Sequence, residues 1–266
     1  MGEYVELPGV RTWYDTDGPD DAAETLVLLH GGFCTNETWD GQRPDFAAKY
    51  RLFLPERRAH GRTPDVAGPL NYQDMANDTV DFLESVVRGP AHLVGWSDGG
   101  IVALLVAMAR PDLVRKVVAI GVNYRPLPEV EAKPDDADES ASSDDSELDF
   151  LQEIYEAVSP DGPEHWPVVV DKVLHMFGTQ PDIAREDLGR ITAPTLVMAS
   201  DDDLMSLEHT IDLYRAIPDS ELAIVPGTSH TLPLEKPAVV NRTILDFLGC
   251  EPVKTIMPVR RARQGS

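Results

Sequence analysis

The sequence predicts an α/β domain: a mostly parallel eight-stranded sheet with helices on both faces and a helical insertion late in the chain. Short apolar runs alternate with longer amphipathic stretches, which is the rhythm of strand–helix–strand units. The runs are compact and apolar, as buried strands are. A single long interval, between Val122 and Thr195, breaks the alternation.

Tyr4 to Leu7 and Val10 to Tyr14 flank Pro8-Gly9 and read as an antiparallel hairpin at the sheet edge. Leu26 to Leu29, Arg51 to Leu54, Ala91 to Val94, Lys116 to Ile120, Thr195 to Ala199 and Glu221 to Val225 supply the other six strands. Tyr72 to Arg88 carries Met75, Val80, Phe82, Leu83, Val86 and Val87 at spacings that mix three and four, a helical period. Gly99 to Ala109 is apolar almost all round, as expected of a helix buried against the sheet. Leu207 to Ile217 and Pro237 to Leu248 complete the set, with Gly249 placed to close the last helix. The division expected is a core of residues 1–122 and 191–250, an inserted lid of 123–190 and a basic tail of 251–266. Phe150 to Val158 and Trp166 to Phe177 are the lid's helices. Between Glu129 and Asp149 ten acids stand against one base, Lys133, with almost no apolar anchors, so about 129–149 reads as a mobile linker.

Composition excludes several classes. The 266 residues are 42% hydrophobic and 26% charged, ordinary for a globular chain. A net charge of −23 argues against a nucleic-acid partner, which needs a basic face. No apolar run is long enough to span a bilayer. The acidic start, Met1 to Glu6, lacks the pattern of a signal peptide, so a cytoplasmic location is expected. Cys34 and Cys250 give neither a disulfide framework nor metal-ligand spacing.

Gly95-Trp96-Ser97-Asp98-Gly99 follows strand Leu93-Val94 and precedes the buried helix. A serine on so sharp a turn needs small neighbours, and the helix N-terminus directs free amides at developing negative charge. Ser97 is the expected nucleophile. Acyl transfer also needs two backbone N–H groups aimed at the oxyanion. Asp98 supplies one; the loop His30-Gly31-Gly32-Phe33 supplies the other, from Gly32 or alternatively Phe33. A hydroxyl needs a histidine to take its proton and a carboxylate to orient that histidine. Ser200-Asp201-Asp202-Asp203 ends one late strand, and Gly227-Thr228-Ser229-His230 follows the next. His230 is the expected base. Asp203 is the preferred acid, with Asp202 second, because the acid must lie past the strand end on a turn that reaches inward. His60, His92, His165, His175 and His209 read as structural or solvated, and His30, in the glycine loop, as making local hydrogen bonds.

These segments, with Glu235-Lys236-Pro237, resemble the α/β-hydrolase superfamily over nearly the whole chain outside the lid. The resemblance implies the α/β-hydrolase fold. It also supports Asp203, since the family's acid is the third residue after a small one, here Ser200. Arg57 to Pro64 resembles the family's Arg-Gly-His-Gly-x-Ser stretch but departs at Ala59 and Thr63. The elbow is also similar to that of the biphenyl-hydrolase-like (valacyclovir hydrolase) esterases, in which the aspartate after the nucleophile helps bind the substrate's amino group. Asp98 stands at that position. It either faces the pocket or merely suits a helix N-terminus.

The function expected is hydrolysis of a carboxylic ester or related acyl bond through an acyl-enzyme on Ser97, with no cofactor and no metal. Carbon–carbon bond hydrolysis or cofactor-free haloperoxidase/perhydrolase chemistry would use the same triad. A non-catalytic small-molecule receptor is the reading from another class. Epoxide hydrolase and dehalogenase chemistry is disfavoured, because both use aspartate where Ser97 stands. The partner is a small molecule, bound between elbow and lid at the carboxyl ends of the strands. Phe33, Trp96, Asp98 and Asn123 from the core and Trp166, Met176 and Phe177 from the lid are the residues expected to line the pocket. They are mostly apolar, so small to medium uncharged esters should be preferred to anionic ones.

Overall fold

The apolar runs form one eight-stranded sheet in a computed structural model that describes residues 2–130, 145–249 and 255–257. The strands are β1 (Glu3–Leu7), β2 (Val10–Asp17), β3 (Thr25–Leu29), β4 (Arg51–Pro55), β5 (Ala91–Trp96), β6 (Val114–Ile120), β7 (Thr195–Ser200) and β8 (Ser220–Val225). Their order across the sheet is β1-β2-β4-β3-β5-β6-β7-β8. β1 and β2 are the antiparallel hairpin, and every pairing from β4 to β8 is parallel. β2 outruns the expected Tyr14 because its far half pairs with β4, from Tyr14 opposite Pro55 to Asp17 opposite Leu52. β5 and β7 are buried at every residue, which is why both read as unbroken apolar runs.

Helices cover both faces: α1 (Arg43–Ala47), α2 (Tyr72–Phe82), α3 (Asp98–Ala109), α7 (Leu207–Ala216), α8 (Leu232–Glu235) and α9 (Pro237–Gly249). Alternate residues of each strand serve opposite cores. Val27, Leu29 and Leu93 join Ile101 and Leu104 of α3, with Met75 of α2. Leu26, Leu28 and Val94 join Trp39, Phe46 of α1 and Ile244 of α9. Beyond Phe82 the second helix widens into a π-type turn, and Arg88, at φ 59°, ends it where the pattern placed its end.

Between β6 and β7 lie α4 (Leu127–Val130), α5 (Asp145–Val158) and α6 (Trp166–Thr179). α5 starts at Asp145, ahead of the apolar stretch that begins at Phe150. Residues 131–144, most of the acidic run, lie outside the described residues. Asp65, in the loop after β4, ties the insertion down. Its Oδ2 accepts from His165 Nε2 at 2.8 Å and Lys172 Nζ at 2.6 Å, and its N–H donates to Asp161 at 2.6 Å. Among the described residues no helix is long and apolar enough to cross a membrane.

Candidate active site

Strand order reverses between β3 and β5, so the loops leaving their carboxyl ends diverge and open a crevice. Those two loops are His30 to Phe33 and the turn at Ser97. Ser97 sits at φ 54°, ψ −121°, a conformation costing about 1–3 kcal/mol that only a well-braced turn sustains. The braces are Ser97 N–H to Ile120 O at 2.7 Å, and Gly100 and Ile101 N–H to Ser97 O at 2.8 and 3.1 Å. A Cβ at Gly95 would lie 2.2 Å from Gly99 O, one at Gly99 2.0 Å from Leu29 O, and one at Gly100 2.3 Å from Val122 Cγ2. The Gly-x-Ser-x-Gly-Gly pattern is therefore a steric requirement of this turn.

Three consecutive aspartates leave β7 and meet three fates. Asp203 is buried; its Oδ1 is 2.7 Å from His230 Nδ1, while Oδ2 accepts from Ser200 N and Oγ, both at 3.1 Å. Burial works against its charge, yet the hydrogen bond and charge of His230, together with Ser200, hold its carboxyl below the usual value. Asp202 is exposed. Asp201 accepts from Gly227 N at 2.6 Å and Thr228 N at 3.3 Å, bracing the loop that carries His230. Gly121, after β6, was not anticipated. At φ 57° it passes so close to the base that a Cβ would lie 2.9 Å from His230 Cε1.

Arg57 is a second residue the sequence reading missed. It is buried behind the glycine loop, where its guanidinium donates to His30 O and, at 3.0 Å, to Gly31 O. Its own N–H donates to His30 Nε2 at 3.1 Å, which leaves His30 Nδ1–H to donate to Gly31 O at 2.8 Å. Burial and the charge of Arg57 pull His60 down to about 3, and burial takes His209 to about 4. His30 is likewise held well below its ordinary value. All three are neutral structural groups. Burial pushes the Cys34 thiol up to about 12, so it is no nucleophile.

Ser97 and His230 face a small cavity of about 40 Å³, partly open to solvent, lined also by Tyr72, Asp98, Asn123, Leu127, Phe177, Leu204 and Met205. Asp98 is 2% exposed. Its Oδ1 accepts from Tyr72 OH at 2.7 Å, and its Oδ2 has no hydrogen-bond partner among the described residues. Burial raises its pKa, against the charge of Arg57 and the Tyr72 hydrogen bond. A Cβ at Gly32 would fall 2.7 Å from Phe177 Cζ and 2.8 Å from Asp98 Oδ2, so only glycine leaves this wall open.

Of the residues expected to line the pocket, Asp98, Asn123 and Phe177 do so. Four are corrected. Phe33, at φ 58°, packs behind the wall, its ring centroid 5.9 Å from Phe177 and 5.5 Å from Trp166. Trp96 alternates with Gly95 along β5 and turns into the core on the α1/α9 side. Trp166 and Met176 belong to the buried stripe Trp166, Val169, Val173 and Met176 of α6, and only the neighbouring Phe177 turns to the cavity. Tyr72, Leu127, Leu204 and Met205 were missed. The apolar pair Leu204-Met205, directly after three aspartates, was a usable signal; Tyr72 comes from a distant helix and gave none.

Among the described residues no group of three or more His, Cys, Asp or Glu side chains could hold a metal. The sequence model of the alpha/beta hydrolase family matches residues 26–243. The chain belongs to that family. This α/β-hydrolase is 27% identical over 256 residues to human serine hydrolase BPHL, covering 92% of this chain and 85% of that protein. The relation expected from the elbow therefore holds. It is 26% identical over 280 residues to the bifunctional esterase/perhydrolase DCH of Acinetobacter calcoaceticus, covering 93% and 99% of the two chains. A solved structure described as Est816, an N-acyl homoserine lactone degrading enzyme, matches with a TM-score of 0.74 at 24% identity, covering 92% and 100%. That likeness shows the fold.

Proposed function

We propose that this α/β-hydrolase is a serine hydrolase that cleaves a carboxylic ester, or a related acyl bond, of a small substrate through an acyl-enzyme on Ser97. The observation that carries the reading is the braced turn presenting Ser97 to a cavity shared with His230, whose Nδ1 lies 2.7 Å from the buried Asp203. His230 Nε2 takes the Ser97 proton as Oγ attacks the carbonyl carbon. Asp203 keeps the Nδ1–H tautomer and balances the imidazolium. The N–H groups of Asp98 and Gly32 receive the oxyanion, with Phe33 as the alternative donor. Collapse expels the alcohol, which His230 protonates. Water, deprotonated by the same base, then releases the acid and restores Ser97. The insertion serves as the lid, with Phe177 as its contribution to the cavity wall.

A narrower reading follows from Asp98. Asp98 lines the cavity, and its Oδ2, buried in this structure, has no hydrogen-bond partner among the described residues; an ammonium reaching that oxygen would favour an α-amino ester over its neutral isostere.

Fluorophosphonate labelling tests the main reading. Wild type should be labelled, and Ser97→Ala should be dark and slower by on the order of 10⁴-fold or more on p-nitrophenyl acetate, with its fold intact. Near-normal labelling of Ser97→Ala would sink the assignment.

A further inference from the structure

We infer that Trp96 is a positioning residue for the base: its indole N–H ties the backbone of His230 to the strand that carries Ser97. The inference rests on the roles given above to Ser97 and His230. The indole is 5% exposed, wedged into the core that includes Leu28, Val94 and Ile120. Its Nε1–H donates to His230 O at 2.9 Å, across 134 residues of sequence, and the two rings lie 5.9 Å apart.

The loop after β8 has other anchors, but they stay on its own side of the sheet. Asp201, beyond β7, holds Gly227 N and Thr228 N. Glu235 of α8 holds Ser229 N and Oγ, both at 2.7 Å. β5 is separated from β8 by β6 and β7. Without the indole, the distance from nucleophile to base is therefore set through two intervening strands. With it, the link runs from Ser97 through its chain neighbour's side chain to the main chain of His230. Asp203 fixes the rotation of the imidazole from Nδ1; Trp96 fixes where the residue's backbone stands. A buried indole N–H gains from an acceptor, and this one has taken the carbonyl of the base. Reach matters because a misplacement of about 1 Å in a reacting pair costs on the order of 10²-fold in rate.

The test removes the N–H alone. Site-specific replacement of Trp96 by 3-benzothienylalanine keeps the ring's shape and puts sulfur where the N–H was; Trp96→Phe serves as a second variant. kcat on p-nitrophenyl acetate and the rate of fluorophosphonate labelling should fall together, by roughly 3- to 10-fold for the benzothienyl protein. KM should stay within about twofold, and the kcat/KM pH profile should keep its shape, because the Nδ1 partner is untouched. A loss of stability without a loss of kcat would make Trp96 merely structural and overturn the inference. So would a rise in KM at unchanged kcat, which would place Trp96 against substrate. Failure of the wild type to label, or labelling of Ser97→Ala, would instead strike the underlying assignment of the nucleophile.

Discussion

Asp98→Asn should convert a preference for α-amino esters into indifference. The side chain keeps its size, and its amide oxygen still accepts from Tyr72 OH, so the fold should hold. What is lost is the charge on Oδ2, which has no partner among the described residues. An ammonium about 4 Å from a carboxylate gains ~4 kcal/mol at an effective dielectric of ~20. The nearby charge of Arg57 and the desolvation of the ammonium reduce this. Charged hydrogen bonds net about 1.5–3 kcal/mol. Near 2 kcal/mol, at 1.4 kcal/mol per decade, the preference is roughly 30-fold in kcat/KM. The assay compares a valine ester with its deaminated analogue, in wild type and variant. The pH dependence has a definite sign. Burial raises the Asp98 pKa, so the preference is present above that raised value and lost as pH falls through it. It also disappears above about pH 8, where the substrate's α-amino group loses its proton. Equal kcat/KM for the two esters with wild type at neutral pH refutes the reasoning, as does a preference that survives in Asp98→Asn.

Asp203→Asn should cut kcat by on the order of 10⁴-fold while Asp202→Asn leaves it nearly unchanged; a crippling Asp202→Asn would put the register off by one. Asp203 is held below the usual carboxylate range, so its stabilising contribution is present at neutral pH and lost as pH falls through its folded value. The gap in urea midpoint between wild type and Asp203→Asn should accordingly shrink on acidification. Gly99→Ala drives a methyl to 2.0 Å from a main-chain oxygen and should cost more than about 3 kcal/mol or abolish folding. Gly178→Ala, with nothing within 4 Å, should gain about 0.5 kcal/mol in the same denaturation assay. Asp65→Ala, which unties His165 and Lys172, should lower Tm by roughly 3–8 °C and raise KM more than it lowers kcat; an unchanged Tm would show that the insertion is held elsewhere.

The residues legible in the sequence are those whose constraint is local. Gly95, Gly99 and Gly100 stand within a few positions of Ser97 because one turn excludes side chains at all of them. The strands were legible because burial on both faces removes polar residues from contiguous runs. The contact of Asp203 with His230 was legible because strand end and turn fix the aspartate's reach. The pocket was less legible, because which way a side chain turns depends on partners remote in sequence. Trp96 and Trp166 are large and apolar, which marks them equally well as core, and core is where both lie. Tyr72 and Arg57 act through contacts with Asp98 and His30, 26 and 27 residues away; Tyr72 carries no local mark, and the stretch that begins at Arg57 gives no sign of this contact.

Arg57 shows how such a remote contact would bear on the choice between the two proposed oxyanion donors. A trans peptide holds its C=O and the next residue's N–H on opposite sides. Arg57 takes the carbonyls of His30 and Gly31, so the N–H groups of Gly31 and Gly32 turn away from it. The Cβ direction of Gly32 points at Asp98 Oδ2 and Phe177, two residues that line the cavity. The Gly32 amide is thus oriented by a buried guanidinium, whereas among the described residues no such tie to a carbonyl orients the Phe33 amide. A buried charge is costly to desolvate, and burial does lower the pKa of Arg57, so its retention needs an offsetting gain. Orientation of the proposed oxyanion donor would supply one. Arg57→Lys keeps the charge but cannot span both carbonyls in the planar fork of a guanidinium. It should lower kcat by roughly 10- to 10²-fold. A trifluoromethyl ketone, whose adduct carries the oxyanion, should bind more weakly in proportion, with KM for the ester little changed. A folded Arg57→Lys protein with full affinity for the ketone would remove Arg57 from the oxyanion site and leave it a structural cation.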